Sequence, residues 1–299
     1  MPDKLTIVRR PWIKKSLFAL AGGAFTLSVL IASYLWYLYQ HREFKPTELE
    51  HTLVSDCLVD LPRMSEIDRE RAQNILHQTF SYLDLGQQMT AYESADQQYV
   101  LKFFNPRSKL RASVFRDWKK IKSLLSKKWF LSSYFQKKQR LLKLYKRYAF
   151  AFREMKEEVG LVYVHLSPAS QLSCPFVTVS DKDGTSYPLD VSHRPFVLQK
   201  KAELAMARLD RQMRGNDRDG LQRSLDQLKQ LFWFRAKKGI TDRNQTLHNN
   251  YGFIGDKAIQ IDVGHVRVDK QVLSNPESEV EKVIHRVQAN HASLKDLIQ

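Results

Sequence analysis

Two short apolar-rich runs, Tyr251 to Ile254 and Ala258 to Ile261, are separated only by Gly255-Asp256, a residue pair that closes two-residue hairpins. A tight hairpin here leaves little freedom to the chain around it, because it brings Asn249 and Asp262 together at its open end. Upstream, Leu221, Leu225, Leu228 and Leu231/Phe232 form one stripe of a helix from about Asp219 to Lys238. That helix stops at Lys237-Lys238-Gly239, a good C-terminal signal, and delivers the chain into a loop containing Asp242. Hard divalent cations prefer carboxylate and amide oxygens, so an Asn and an Asp at a hairpin mouth are candidates to hold one against a nucleotide's phosphates.

The order Asp242, Asn249, hairpin, then Ile261-Asp262-Val263-Gly264-His265 resembles the catalytic and metal-binding loops of the protein-kinase-like superfamily. The wording Gly-Ile-Thr-Asp-Arg-Asn from Gly239 with the later Ile-Asp-Val-Gly-His is most similar to phosphoinositide-type lipid kinases. The resemblance implies that Asp242 is the catalytic aspartate near the acceptor hydroxyl, that Asn249 and Asp262 are Mg²⁺ ligands, and that Gly264 is the glycine of the Asp-x-Gly turn. Asn249 follows Asp242 by seven residues where the family places five, Val263 stands where Phe is common, and Asn250 is an alternative ligand.

A fold of that kind needs an upstream sheet bearing a phosphate-contacting lysine. Ser81 to Gly86, Met89 to Ser94 and Gln98 to Phe104 read as three strands, and in the last, YVLKFF, Val100 and Lys102 share a face. By resemblance Lys102 holds the α- and β-phosphates of ATP and Val100 lines the adenine pocket. The Gly86-Gln87-Gln88-Met89-Thr90-Ala91 turn keeps one glycine, Gly86, of a G-x-G-x-x-G pattern, although backbone approach to phosphate is easiest at glycine. Leu141 to Val159 has helical apolar spacing, and a helix in that place supplies the lysine's glutamate partner in the superfamily. Glu154, Glu157 and Glu158 are the candidates.

The N-terminal region carries a different signal. Leu17 to Tyr39 contains 23 residues without a charge, enough at ~1.5 Å per residue to cross a ~30 Å hydrocarbon core. Five Lys/Arg precede it, and Trp12, Tyr34, Trp36, Tyr37 and Tyr39 sit at its ends as interface anchors. The expectation is a single-pass membrane protein with its N-terminus in the cytoplasm, which sets the main domain on the side opposite cytosolic ATP. Most of the formal charge of +16 comes from residues 102–147, where sixteen Lys/Arg stand against Asp117 alone. Trp118, Lys119, Lys120, Lys127, Lys128 and Trp129 interleave aromatics with cations there, a pattern suited to an anionic bilayer surface or a lipid-linked substrate. Nucleic acid is the rival partner for the same charges, and a solvated helical insertion is the plain alternative.

About 250 residues follow the apolar stretch, enough for one domain with a sizeable core. Cys57 and Cys174 stand without metal-ligand spacing, so zinc is not expected. An isolated loop Asp or Asn is most often a turn former; what argues otherwise is the ordered set of elements. The expected fold class is α+β, with a single N-terminal transmembrane helix followed by a two-lobed protein-kinase-like domain. The segments are a basic flank (1–15), the span (16–39), a connector (40–64), an N-lobe (65–199) with a basic insertion at about 105–147, and a reduced C-lobe (200–299). The expected function is transfer of a phosphoryl group from Mg-ATP to a hydroxyl of a membrane-associated substrate. The alternatives are an inactive pseudokinase scaffold and a basic membrane-tethered module that binds anionic lipid or nucleic acid.

Overall fold

A computed structural model of the chain describes residues 26–34, 61–86, 88–104, 127–166, 172, 176–192, 194–243 and 246–290. Two compact units are present, residues 1–44 and 45–299. In the first, residues 26–34 are helical and exposed. No helix among the described residues is long and apolar enough to cross a membrane. The expected fold class is therefore corrected: the described architecture is α+β with a mixed sheet, without a transmembrane helix. The rest of the 17–39 stretch lies outside the described residues.

The second unit opens with helix α1 (Glu66–Leu76), capped by Ser65, whose hydroxyl accepts from Asp68 N at 3.1 Å as the Ser-x-x-Asp spacing predicts. Strands β1 (Thr79–Leu85), β2 (Met89–Ser94) and β3 (Tyr99–Phe104) follow as an antiparallel meander. Helix α2 (Lys127–Glu154) then leads to β4 (Leu161–His165), β5 (Phe176–Ser180), β6 (Ser186–Asp190) and β7 (Phe196–Lys200). The seven strands lie in the order β4-β7-β3-β2-β1-β5-β6. The β1–β5 pair is parallel and the rest are antiparallel, which makes the sheet mixed. Pro188 sits in β6, an outermost strand, where a missing N–H breaks no interior ladder.

Alternation along β3 sets the two faces of this sheet. Leu101 and Phe103 join an aromatic layer in which Tyr92, Phe103 and Phe196 follow at 5.9 and 6.1 Å between ring centroids. On the other face Phe104 packs edge-on against Tyr145 at 4.8 Å and Tyr148 at 5.3 Å of α2, the favoured geometry for ring quadrupoles. Val100 and Lys102 share the parity of Phe104 and so face α2.

Beyond the sheet, β8 (Glu203–Leu204), α3 (Ala205–Arg214) and α4 (Arg218–Lys237) lead to β9 (Ile240–Asp242), α5 (Leu247–Asn250), β10 (Tyr251–Ile254) and β11 (Lys257–Gln260). Strand β12 (Val266–Val268) and helices α6 (Lys270–Ser274) and α7 (Pro276–Asn290) close the described chain. The β10–β11 hairpin forms as the sequence predicts, with Ile254 opposite Lys257 across Gly255-Asp256, and Gly255 takes the left-handed φ of 58° that such a turn requires. Strand β8 adds to β10, and β12 pairs with β9 so that Val266 lies opposite Asp242. A core built from Leu209, Leu225, Leu228, Phe232, Tyr251 and Phe253 joins α3 and α4 to this hairpin.

Candidate functional site

The antiparallel pairings β10–β11 and β9–β12 bring Asp242, Asn250 and Asp262 to one place. Gln260, on β11 and fully buried, links them: its Nε2 donates to Asp242 Oδ2 at 2.5 Å and to the Asp262 carbonyl at 2.9 Å. Ile261 N donates to the Asn250 carbonyl at 2.7 Å, so the hairpin mouth is stitched by its own backbone. Asp242 is buried, and Thr241 beside it is held by Glu279 of α7. Asp262 Oδ1 accepts from Gly264 N at 2.7 Å, which fixes the carboxylate rotamer through a local turn.

Lys102 reaches this mouth from the sheet. Its ammonium donates to the Ile261 carbonyl at 3.3 Å, across 159 positions of sequence, and the same carbonyl accepts from Gln199 Nε2 of β7 at 3.2 Å. Burial pushes the Lys102 ammonium down to about 8, while the Asp262 carboxylate works in the opposite sense. Burial drives the Tyr148 phenol well above its ordinary value, and the Asp262 charge adds to that rise. The side chain of Arg147 donates to the Gly264 carbonyl. Asp262 is thus the local anion, with Lys102 from β3 and Tyr148 from α2 within its field.

The glutamate expected to partner Lys102 is not found among the described residues. Glu154 is the last residue of α2 and pairs with Arg153 at 2.8 Å. The chain then leaves the helix and reverses at Gly160, which has φ of 61°. In the turn before it, Glu157 lies 3.9 Å from Lys200 and Glu158 3.4 Å from Lys257. Arg147 and Tyr148 of α2 stand at the site instead.

Of the other expected residues, Val100 is buried on the α2 face, and Gly86 is exposed at the β1–β2 turn, where its N–H donates to the Met89 carbonyl at 2.9 Å. Asn249 is exposed, and it is Asn250, the last residue of α5, that is buried. Trp118, Lys119 and Lys120 lie outside the described residues. Lys127, Lys128 and Trp129 fall in the first turn of α2, with side chains outside the described set.

Three contributors had no sequence signal of their own: Arg147, Gln260 and Gln88. Gln88 stands at the tip of the β1–β2 turn, and its amide oxygen lies directly over Gly264, so that a Cβ at Gly264 would overlap it and stand 3.0 Å from Asp262 Oδ1. A side chain at 264 would have to displace the Gln88 amide from this approach. Among the described residues no three His, Cys, Asp or Glu side chains gather as a metal group. The oxygens present, an Asp carboxylate and buried amide oxygens, are nevertheless the donor type a hard cation takes. The chain matches no family model and no curated protein sequence.

Proposed function

We propose that the chain binds a nucleotide triphosphate at the Lys102–Asp262 mouth and transfers its terminal phosphoryl group to an acceptor hydroxyl. The observation that carries this reading is the convergence of Lys102 from β3 with Asp262 from the end of the hairpin. A depressed lysine ammonium beside a rigidly held carboxylate is costly to assemble in a fold with no use for it. Phosphoryl transfer asks a protein mainly to position groups and offset charge. Lys102 supplies a cation for phosphate oxygens, and Val100, Phe104 and Tyr148 exclude water from that side. Arg147 ties the carbonyl of Gly264 and so sets the path of the Asp262 turn. Asp242, oriented by Gln260, would accept the hydroxyl proton. Magnesium, held through Asp262 with amide oxygen support, would supply neutralisation of phosphate charge.

A second reading, nucleotide binding without transfer, is favoured by the one-glycine β1–β2 turn and by the glutamates that pair away from Lys102. The two readings share their first test, thermal unfolding of the full chain with ADP or ATP and Mg²⁺. A ligand at ~100 times its Kd adds about 2.7 kcal/mol, or roughly 5–10 °C for a unit of this size. Loss of that shift in Asp262→Asn is expected. A wild-type protein that is folded yet shows no shift with either nucleotide would refute both readings, whereas a shift without product formation would select the second.

A further inference from the structure

The site holds two acceptor oxygens that nothing among the described residues satisfies. Gln88 Oε1 and Gln260 Oε1 are both shielded from solvent and have no hydrogen-bond partner. For Gln260 the orientation is fixed, because its Nε2 is committed to Asp242 and to the Asp262 carbonyl; turned over, the amide would set oxygen against two acceptors. Gln88 presents its oxygen to the space above Gly264 that Asp262 Oδ1 also borders. The Gly264 N–H already serves that carboxylate oxygen. Gln88 Oε1 and Asp262 Oδ1, both beside Gly264, are two acceptors that repel unless a donor or a cation stands between them. Oxygen-only surroundings of carboxylate and amide type select a hard divalent ion.

We propose that Gln88 is a metal ligand, delivered by the β1–β2 turn, that completes with Asp262 a site for Mg²⁺ or Mn²⁺. The inference rests on the phosphotransfer reading for the use of the ion but predicts metal binding without nucleotide. It also gives the turn a role. With Gly86 as its one glycine, the turn grips phosphate poorly through its backbone, and a side-chain amide that reaches over Gly264 lets it act through the ion instead.

The test is Mn²⁺ binding to the full chain without nucleotide, followed by electron paramagnetic resonance, with Mg²⁺ as competitor. Wild type binds Mn²⁺ and releases it to Mg²⁺; Asp262→Asn and Gln88→Ala each weaken binding by about tenfold or more. Gln88→Glu binds at least as tightly as wild type, since it offers a charged oxygen in the same place. A Gln88→Ala variant that binds Mn²⁺ like wild type overturns the proposal. So does a Gln88→Glu variant as weak as Gln88→Ala, since Gln88 would then be acting as a donor to Asp262. Gln88 lies at a surface turn, and circular dichroism of each variant separates lost binding from lost folding. If these variants leave metal binding unchanged while Asp262→Asn abolishes the nucleotide shift, the inference falls and the phosphotransfer reading survives. If wild type binds neither Mn²⁺ nor nucleotide, both fall.

Discussion

Replacing Lys102 by methionine should make this protein more stable at neutral pH while it destroys nucleotide binding. The ammonium is pushed down to about 8 from the 10.5 of a free lysine, so at pH 7 keeping it charged costs the fold up to about 3 kcal/mol. Methionine fills a similar volume without charge. The Ile261 carbonyl that Lys102 serves keeps its bond from Gln199 at 3.2 Å, so no acceptor is orphaned. The attraction of Asp262 is already contained in the value near 8, so the gain is up to about 3 kcal/mol, or roughly 6–12 °C for a unit of this size. The sign follows from linkage. Below pH 8 the lysine is charged in both folded and unfolded chain and the penalty is complete; between 8 and 10.5 the unfolded chain binds the extra proton and the penalty shrinks; above 10.5 it is gone. Denaturant unfolding at pH 7 and near pH 10.5 therefore finds Lys102→Met more stable at the first and equal to wild type at the second. A variant that is less stable at pH 7, or a difference that does not change with pH, refutes the placement of this lysine as a buried charge held for function.

Asp242→Asn keeps the amide bond from Gln260 available in altered form and should lower turnover at least a hundredfold, with the Mg-nucleotide thermal shift little changed; a lost shift would move Asp242 from chemistry to binding. Gly252→Ala sets a Cβ 2.5 Å from the Glu203 carbonyl and 2.8 Å from Ile261 Cδ1, so it should cost about 2 kcal/mol or more by forcing β8 off β10, measured by urea unfolding. Gly255→Ala, open to space but at φ of 58°, should cost only about 1–2 kcal/mol, and a reversed order would contradict the β8–β10 contact.

What the sequence made legible were elements that state their own period. The meander of β1, β2 and β3, the β10–β11 hairpin and helix α4 all carry local patterns, and each formed within a few residues of its expected bounds. Strands β8 and β12, of two and three residues, are strands only because β10 and β9 lie beside them, and β6 is an exposed outer strand with a proline; none has a period long enough to read. Helix α2 runs from Lys127, ahead of the Leu141 start that its apolar spacing marks, because in residues 127–140 clustered cations and aromatics read as a surface pattern rather than as a core-facing stripe. It ends at Glu154 because the turn to Gly160 reverses the chain. The glutamate candidates sit at the end of α2 and in the turn after it, where they pair with Arg153, Lys200 and Lys257. Gln88, Arg147 and Gln260 reach the site through tertiary contacts, and residue types so common carry no signal of that kind.

The site's charge balance has one further consequence. With the candidate glutamates paired elsewhere, Asp262 is the charge that holds the Lys102 ammonium up, and burial outweighs it. A bound polyphosphate adds negative charge beside the same ammonium, and opposite charge at close range raises a lysine pKa. Nucleotide binding must then take up a proton wherever free Lys102 is neutral and bound Lys102 is charged, that is, above about pH 8. Affinity should be flat below that pH and fall above it, by approaching tenfold per pH step once the free ammonium is mostly neutral. Calorimetry at pH 9 in buffers of different ionisation enthalpy reads the uptake directly: the binding enthalpy should vary with the buffer, whereas at pH 6.5 it should not. In Lys102→Arg, whose guanidinium stays charged, the buffer dependence at pH 9 should vanish even if affinity suffers. A buffer-independent enthalpy at pH 9 in wild type, with nucleotide shown to bind, would mean that the phosphates lie away from Lys102 and that this mouth is not where they are held.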